Sequence, residues 1–257
     1  MVAADDALGR FRLDGRTAVV TGASSGLGAR FAPVLHGAGA NVVVAARRRD
    51  RLGKVVSGLD RAIAVGCDVA VDADLEKLVD TAVAEFGSVD VLVNNAGTSA
   101  VVPAAEETLA QMRSVIDVNL VAAYRLSQLC GARMLEQGHG VVVNVASILG
   151  LVGVGQIPQA SYAASKAGLI GLTRELAAQW ARRGVRVNAI APGWFPSEMT
   201  ADMIEPGQGL RWIERRDPMG RPGREDELDG ALLFLASDAS SYVTGQVLAV
   251  DGGWTAV

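Results

Sequence analysis

Only two cysteines and two histidines occur in 257 residues, and no stretch of 18 consecutive apolar residues is present. Cys67 and Cys130 stand in apolar or helical contexts without metal-ligand spacing, and His36 and His139 are remote from each other and from any carboxylate cluster. This scarcity predicts no disulfide and no bound metal. The missing apolar run excludes a membrane-spanning helix, which needs about 20 residues. Residues 1–16 carry Asp5, Asp6 and Asp14 with no continuous apolar core, so they do not read as a signal peptide, and a cytoplasmic protein is expected. A cationic surplus is missing too. The formal net charge is −4, with Arg47-Arg48-Arg49 as the dense basic run, so neither nucleic acid nor a membrane is expected as a partner. No repeat, low-complexity tract or composition break divides the chain, which predicts one domain over 1–257 with 1–14 as an N-terminal extension.

Half of the residues are hydrophobic and thirty are glycine. Apolar, β-branched runs recur at Thr17 to Thr21, Asn41 to Ala46, Ala62 to Gly66, Val89 to Val93, Gly140 to Ala146, Val185 to Ile190 and Val247 to Val250. Helical periodicity fills the intervals, notably from Leu109 to Glu136 and from Ala160 to Arg183. The runs are nearly continuous rather than alternating, as expected of strands covered on both faces. The fold class is therefore α/β, a doubly wound parallel sheet of Rossmann-like type with helices on both faces.

Ligands of such sheets sit beyond the carboxyl ends of the strands, so the strand ends predict the site. The first strand runs into Gly22-Ala-Ser24-Ser25-Gly26-Leu27-Gly28 and then a helix. That turn admits close approach of phosphates to backbone amides at a helix N-terminus. The later ends carry Arg47 and Arg48, Asp68 and Val69, Asn94-Asn95-Ala96-Gly97, Ser147, and Pro192-Gly193. Tyr162 and Lys166, four positions apart, share one helical face, where an ammonium can favour the ionised form of a phenol.

This ordered set, with Asn119 and the terminal Asp251-Gly-Gly253, resembles the short-chain dehydrogenase/reductase family in its single-domain branch, over Gly15 to Gly253. The resemblance implies an enzyme acting on CH–OH groups. Tyr162 would be general acid or base, and Lys166 would lower its pKa and bond the nicotinamide ribose. Ser147 would hold the substrate oxygen, and Asn119 would hold a water chain. It also implies cofactor contacts from Gly22, Ser24, Ser25, Gly26, Leu27, Gly28, Asp68, Val69, Asn95, Ala96, Gly97, Tyr162, Lys166, Pro192 and Gly193. Ser197 stands where the family often has a threonine on the nicotinamide carboxamide. Asn94 reads first as scaffold, tying neighbouring strands. Ser147 and Tyr162 are fifteen positions apart, longer than is usual in the family, with Gly150, Gly153 and Gly155 between them.

Where an acid would bond an unphosphorylated ribose, the chain has Ala45-Ala46 followed by three arginines. NADP(H) is thus expected over NAD(H), with Arg47 as first ligand of the 2′-phosphate and Arg48 as second. Trp194, Phe195, Met199, Met203, Ile204 and Trp212 suggest an apolar substrate pocket with 194–212 as a lid. A hydrophobic ketone such as a 3-oxoacyl thioester is expected, with an NAD(H)-dependent sugar, polyol or steroid-type dehydrogenase as alternative. Epimerisation or dehydration on the same fold, and a cofactor-binding sensor without turnover, are the rival classes. The resemblance also implies a homotetramer.

Overall fold

The computed structural model describes residues 7–257; of the expected extension, only 7–14 falls within them. Strand β1 (Thr17–Thr21) leads into helix α1 (Gly26–Gly37), followed by β2 (Asn41–Ala46), α2 (Arg49–Val56), β3 (Ala62–Gly66), α3 (Asp72–Phe86) and β4 (Val91–Asn94). The second half runs α4 (Leu109–Ile116), α5 (Ala122–Gln137), β5 (Gly140–Val145), α6 (Ala160–Trp180) and β6 (Val185–Pro192). Two short helices, α7 (Ala201–Ile204) and α8 (Gln208–Arg216), then precede α9 (Asp229–Ala236) and β7 (Val247–Val250). All seven strands are parallel, in the order β3-β2-β1-β4-β5-β6-β7. The order reverses between β1 and β4, so the connections on either side of that point diverge and open a crevice at the strand ends.

The unbroken apolar runs follow from burial on both faces. Along β1, Ala18 and Val20 enter one core with Phe31, Ala32 and Leu35 of α1 and Leu232 and Leu235 of α9. Val19 points the other way, into a core with Leu75 and Leu78 of α3, Leu126 and Met134 of α5, and Leu176 of α6. Each fully buried Val or Leu contributes about 1.5–3 kcal/mol relative to exposure. A one-residue slip of any central strand would exchange the two cores, so register is tightly specified.

Strand positions match the expected ones within two residues at each end. The long helix expected over Leu109 to Glu136 is interrupted by a wide turn at Asp117–Val121, in which hydrogen bonds skip one further residue. Such a bulge is invisible to a periodicity of 3.6. Asn94 is scaffold, as expected: its amide donates to Asn144 Oδ1 at 2.9 Å and Ser127 Oγ at 3.0 Å. Asn144 in turn donates to Thr173 Oγ1 at 2.9 Å, joining β4, β5, α5 and α6 through buried polar groups.

Removing one member strands its partners without water. Asn94→Ala is expected to cost about 2 kcal/mol and to lower Tm by roughly 4–8 °C, read by thermal unfolding. An unchanged Tm would mean that the network contributes nothing net.

Candidate active site

The crevice at the switch point is a cavity of about 510 Å³ lined by the predicted strand ends: Gly22, Ser24 to Leu27, Arg47 and Arg48, Asp68 and Val69, Asn95 to Gly97, Ser147, Tyr162, Lys166, Pro192, Gly193 and Ser197. Two of the expected contact residues are not on its wall. A Cβ on Gly28 would lie 2.6 Å from Gly22 O and closer still to Asn95 Nδ2, so Gly28 lets helix α1 press against the turn from behind. Asn119 lies deeper, 1% exposed, on the wide turn. Its Oδ1 accepts from Thr98 N at 2.8 Å, its Nδ2 donates to Thr98 O at 2.9 Å and to Ser165 Oγ at 2.9 Å, and Ser165 donates to Tyr162 O. Asn119 thus joins the loop after β4 to the helix that carries Tyr162. A Cβ on Gly97 would meet both Asn119 Oδ1 and Lys166 Nζ within 4 Å, so these two side chains flank one point of the loop.

The glycine turn is held open by its neighbours. Gly22 has φ +66°, and a Cβ there would lie 2.7 Å from Ala96 Cα. Thr21 Oγ1 accepts from Asn95 N and Ala96 N, both at 3.1 Å, and Asn95 Nδ2 donates to Thr21 O at 2.8 Å. Thr21, immediately before the glycine turn, therefore fastens the end of β1 to the end of β4. Ser25 gives α1 no side-chain cap, which leaves the first-turn amides to a ligand. A turn that excludes side chains, uncapped amides and a flanking arginine fit the phosphates of a dinucleotide.

Tyr162 and Lys166 both line the cavity, with Lys166 Nζ 5.6 Å from the ring centroid. Lys166 donates to Val145 O, at the end of β5, at 2.7 Å. The expected depression of the phenol is not the larger effect. Burial raises the Tyr162 pKa, and the Ser147 hydroxyl beside it only partly counters this. Burial likewise brings Lys166 down to about 8. Both charges lose solvation here, and at 5.6 Å from the ring the amine does not reverse that cost. Ser147 Oγ accepts from Leu149 N at 3.1 Å, which leaves its O–H free to donate. The loop between Ser147 and α6 makes a helical turn at 148–150, and Ser147 and Tyr162 meet across the cavity despite the long spacing.

The two arginines take different positions beside the glycine turn. Arg48 donates to Ser24 Oγ and Ser25 Oγ at 2.8–3.1 Å, whereas Arg47 is 79% exposed and lies 4.0 Å from Asp68. Arg48 is the one laid against the glycine turn. Glu198, which the sequence did not single out, also lines the cavity and bonds Ser25, Arg48 and Arg51. Cys67 and Cys130 are buried free thiols pushed up to about 12 by desolvation, so neither offers a thiolate. No group of metal-ligating side chains occurs among the described residues, and no described helix is long and apolar enough to cross a membrane.

A parallel sheet with a glycine turn at its switch point, facing a Ser, Tyr and Lys constellation, defines a nicotinamide-dependent oxidoreductase of Rossmann type. The family model described as enoyl-(acyl carrier protein) reductase matches residues 22–255. The chain belongs to the short-chain dehydrogenase/reductase family. It is 43% identical to cis-4-hydroxycyclohexanecarboxylate dehydrogenase of Sinomonas cyclohexanicum, over 94% of this chain and 97% of that one. The structure of a gluconate 5-dehydrogenase from Burkholderia cenocepacia J2315 in complex with NADP and tartrate is similar at TM-score 0.92 and 36% identity, covering 98% and 99% of the two chains. A 7α-hydroxysteroid dehydrogenase complexed with NADH and 7-oxo glycochenodeoxycholic acid is similar at TM-score 0.91 and 34% identity, covering 98% of each. Relatives that bind NADP or NADH make the cofactor a nicotinamide dinucleotide, and the reaction is a dehydrogenation or reduction at a CH–OH group.

The lowered Lys166 pKa has a consequence for stability. Unfolded lysine titrates at 10.5 and the folded one at about 8, so between these values the unfolded chain binds more protons and this group adds stability as pH rises. Below pH 8 its full cost is present. Lys166→Met is expected to be more stable than the wild type at pH 7 by roughly 2–3 kcal/mol, the advantage shrinking toward pH 10.5. Chemical denaturation across that range checks it; a constant difference would contradict the shifted pKa.

Proposed function

We propose that the protein interconverts a ketone and a secondary alcohol on a hydrophobic skeleton, with NADP(H) as the preferred cofactor. The observation that carries the reaction is the meeting of Ser147, Tyr162 and Lys166 on one cavity wall. The raised phenol keeps its proton at neutral pH, the state a general acid needs. In reduction, Tyr162 Oη delivers that proton to the carbonyl oxygen, and Ser147 O–H donates to the same oxygen as charge builds there. The nicotinamide, when bound, supplies or accepts the hydride at the carbon. Lys166 places positive charge beside the ring, and Asn119 ties the helix on which both stand to the loop after β4.

Two features support the substrate and cofactor classes. Val118, Phe195 and Met199 put apolar surface on the cavity wall, and behind them Ile148, Val154, Trp194, Ile213 and Trp254 form a buried apolar cluster in which Trp194, Trp212 and Trp254 stack edge to face at 5.1–5.7 Å. Arg48 is the first candidate for the 2′-phosphate and Arg47 the second, with Asp68 beside the latter toward the adenosine. A second reading, a sugar acid or polyol as substrate, draws support from the gluconate 5-dehydrogenase likeness and from Thr98, Ser114 and Thr200 on the cavity wall. Exposed Leu109, Met112, Val121 and Tyr124, on α4, the wide turn and α5, suit the pairing of copies into a homotetramer, and the cytoplasm is the proposed location.

A panel of hydrophobic ketones, alicyclic alcohols and polyols, scored by absorbance of the reduced cofactor with NADP(H) and NAD(H) in parallel, tests the proposal. Hydrophobic ketones with NADP(H) are expected to give the highest kcat/KM. Tyr162→Phe is expected to lower kcat by about 10²–10⁴ with cofactor affinity retained. Turnover of polyols alone would favour the second reading, and an unchanged kcat in Tyr162→Phe would overturn the acid.

A further inference from the structure

Glu198 is a carboxylate seated where an anion-binding cradle would receive a phosphate. It stands in the segment between β6 and α7, about 150 positions from its partners, and no local pattern pairs it with them. Ser25 donates to its Oε2 at 3.1 Å, Arg48 bonds both of its oxygens at 2.9–3.1 Å, and Arg51 bonds Oε1. The two guanidiniums hold the carboxyl down at about 2, so no ordinary change of pH discharges it. The same Arg48 reaches Ser24 and Ser25 of the glycine turn, and among the described residues no other acidic side chain is bonded to Arg48 or Arg51. The segment itself crosses that turn: a Cβ on Gly26 would meet Ser197 Cβ at 3.2 Å.

We propose that Glu198 determines cofactor specificity as an internal anion that competes with the 2′-phosphate for Arg48 and Arg51. This rests on the NADP(H) reading above. Two cations and one carboxylate leave a single net positive charge, enough to tolerate an unphosphorylated ribose with Glu198 in place. A dianionic phosphate on the same guanidiniums needs both of them and repels the carboxylate, so Glu198 leaves as the phosphate enters. Its departure frees the neighbouring Ser197 and the segment that begins at Trp194. The adenosine end of the cofactor thereby influences the substrate end of the cavity, and discrimination between the two cofactors is set by the difference between two anions on one cradle. The partners are two-fifths to half exposed, so exchange of one anion for the other needs no core rearrangement.

The test uses adenosine 2′,5′-bisphosphate and 5′-AMP as ligands, without substrate or turnover, by titration calorimetry on wild type, Glu198→Gln, Glu198→Ala and Arg48→Ala. Both Glu198 variants are expected to bind the bisphosphate about tenfold tighter than wild type and AMP with unchanged affinity. Arg48→Ala is expected to lose the preference for the bisphosphate. Tryptophan emission is the second readout, since Trp194 adjoins the segment: the bisphosphate should shift it in the wild type toward the spectrum of Glu198→Gln. Equal bisphosphate affinity in wild type and both Glu198 variants, with Arg48→Ala still losing it, overturns the competition and leaves the phosphate assignment standing. No preference for the bisphosphate in any of the four proteins overturns both.

Discussion

Loss of solvation at the floor of the crevice is the constraint on which the site depends. A phenol and an amine are set side by side where neither charged form is well solvated, so Tyr162 holds its proton more tightly and Lys166 more loosely than either would in water. That cost is sustained by the frame around them. Lys166 is pinned to the carbonyl of Val145 at the end of β5, and the helix carrying both side chains is tied through Ser165 to Asn119 and through it to the loop after β4. The wide turn at Asp117–Val121 exists at the point where Asn119 must reach inward.

The frame is a buried polar one set in an apolar sheet. Asn94, Asn144, Ser127 and Thr173 join strands to helices on one side, while Thr21 and Asn95 join the ends of β1 and β4 across the switch point. Buried networks of this sort are stable only when every member is satisfied, which makes them rigid. Rigidity is what positioning of a proton donor and a cofactor requires. By contrast, the segment after β6 is attached to the glycine turn by exposed ion pairs through Glu198, contacts of modest strength that another anion can replace.

Most of the architecture was legible because it rests on patterns local in sequence. Continuous apolar strands report burial on both faces, glycines report the turn, and the four-residue spacing of Tyr162 and Lys166 reports a shared helical face. The Rossmann-like sheet and the family followed from these. What escaped the sequence depends on tertiary placement. Glu198 meets arginines from the far end of the chain, Thr21 fastens the end of β1 to the loop after β4, and Gly28 brings helix α1 against the turn. Arg47 and Arg48 are adjacent and indistinguishable in composition, yet backbone direction at the start of α2 sends one to solvent and the other to the turn. Spacing reports the proximity of the lysine's charge to the Tyr162 phenol, whereas the desolvation that opposes it arises only once the walls are in place.

Burial keeps the proton on the Tyr162 phenol in the free protein. Ultraviolet difference titration measures it directly, since the chain has three tyrosines and Tyr162→Phe removes one phenolate signal at a known position. Subtracting the variant from the wild type should reveal a phenol that ionises only above its ordinary value of 10. A Tyr162 phenolate forming near neutral pH in the free protein would contradict the account.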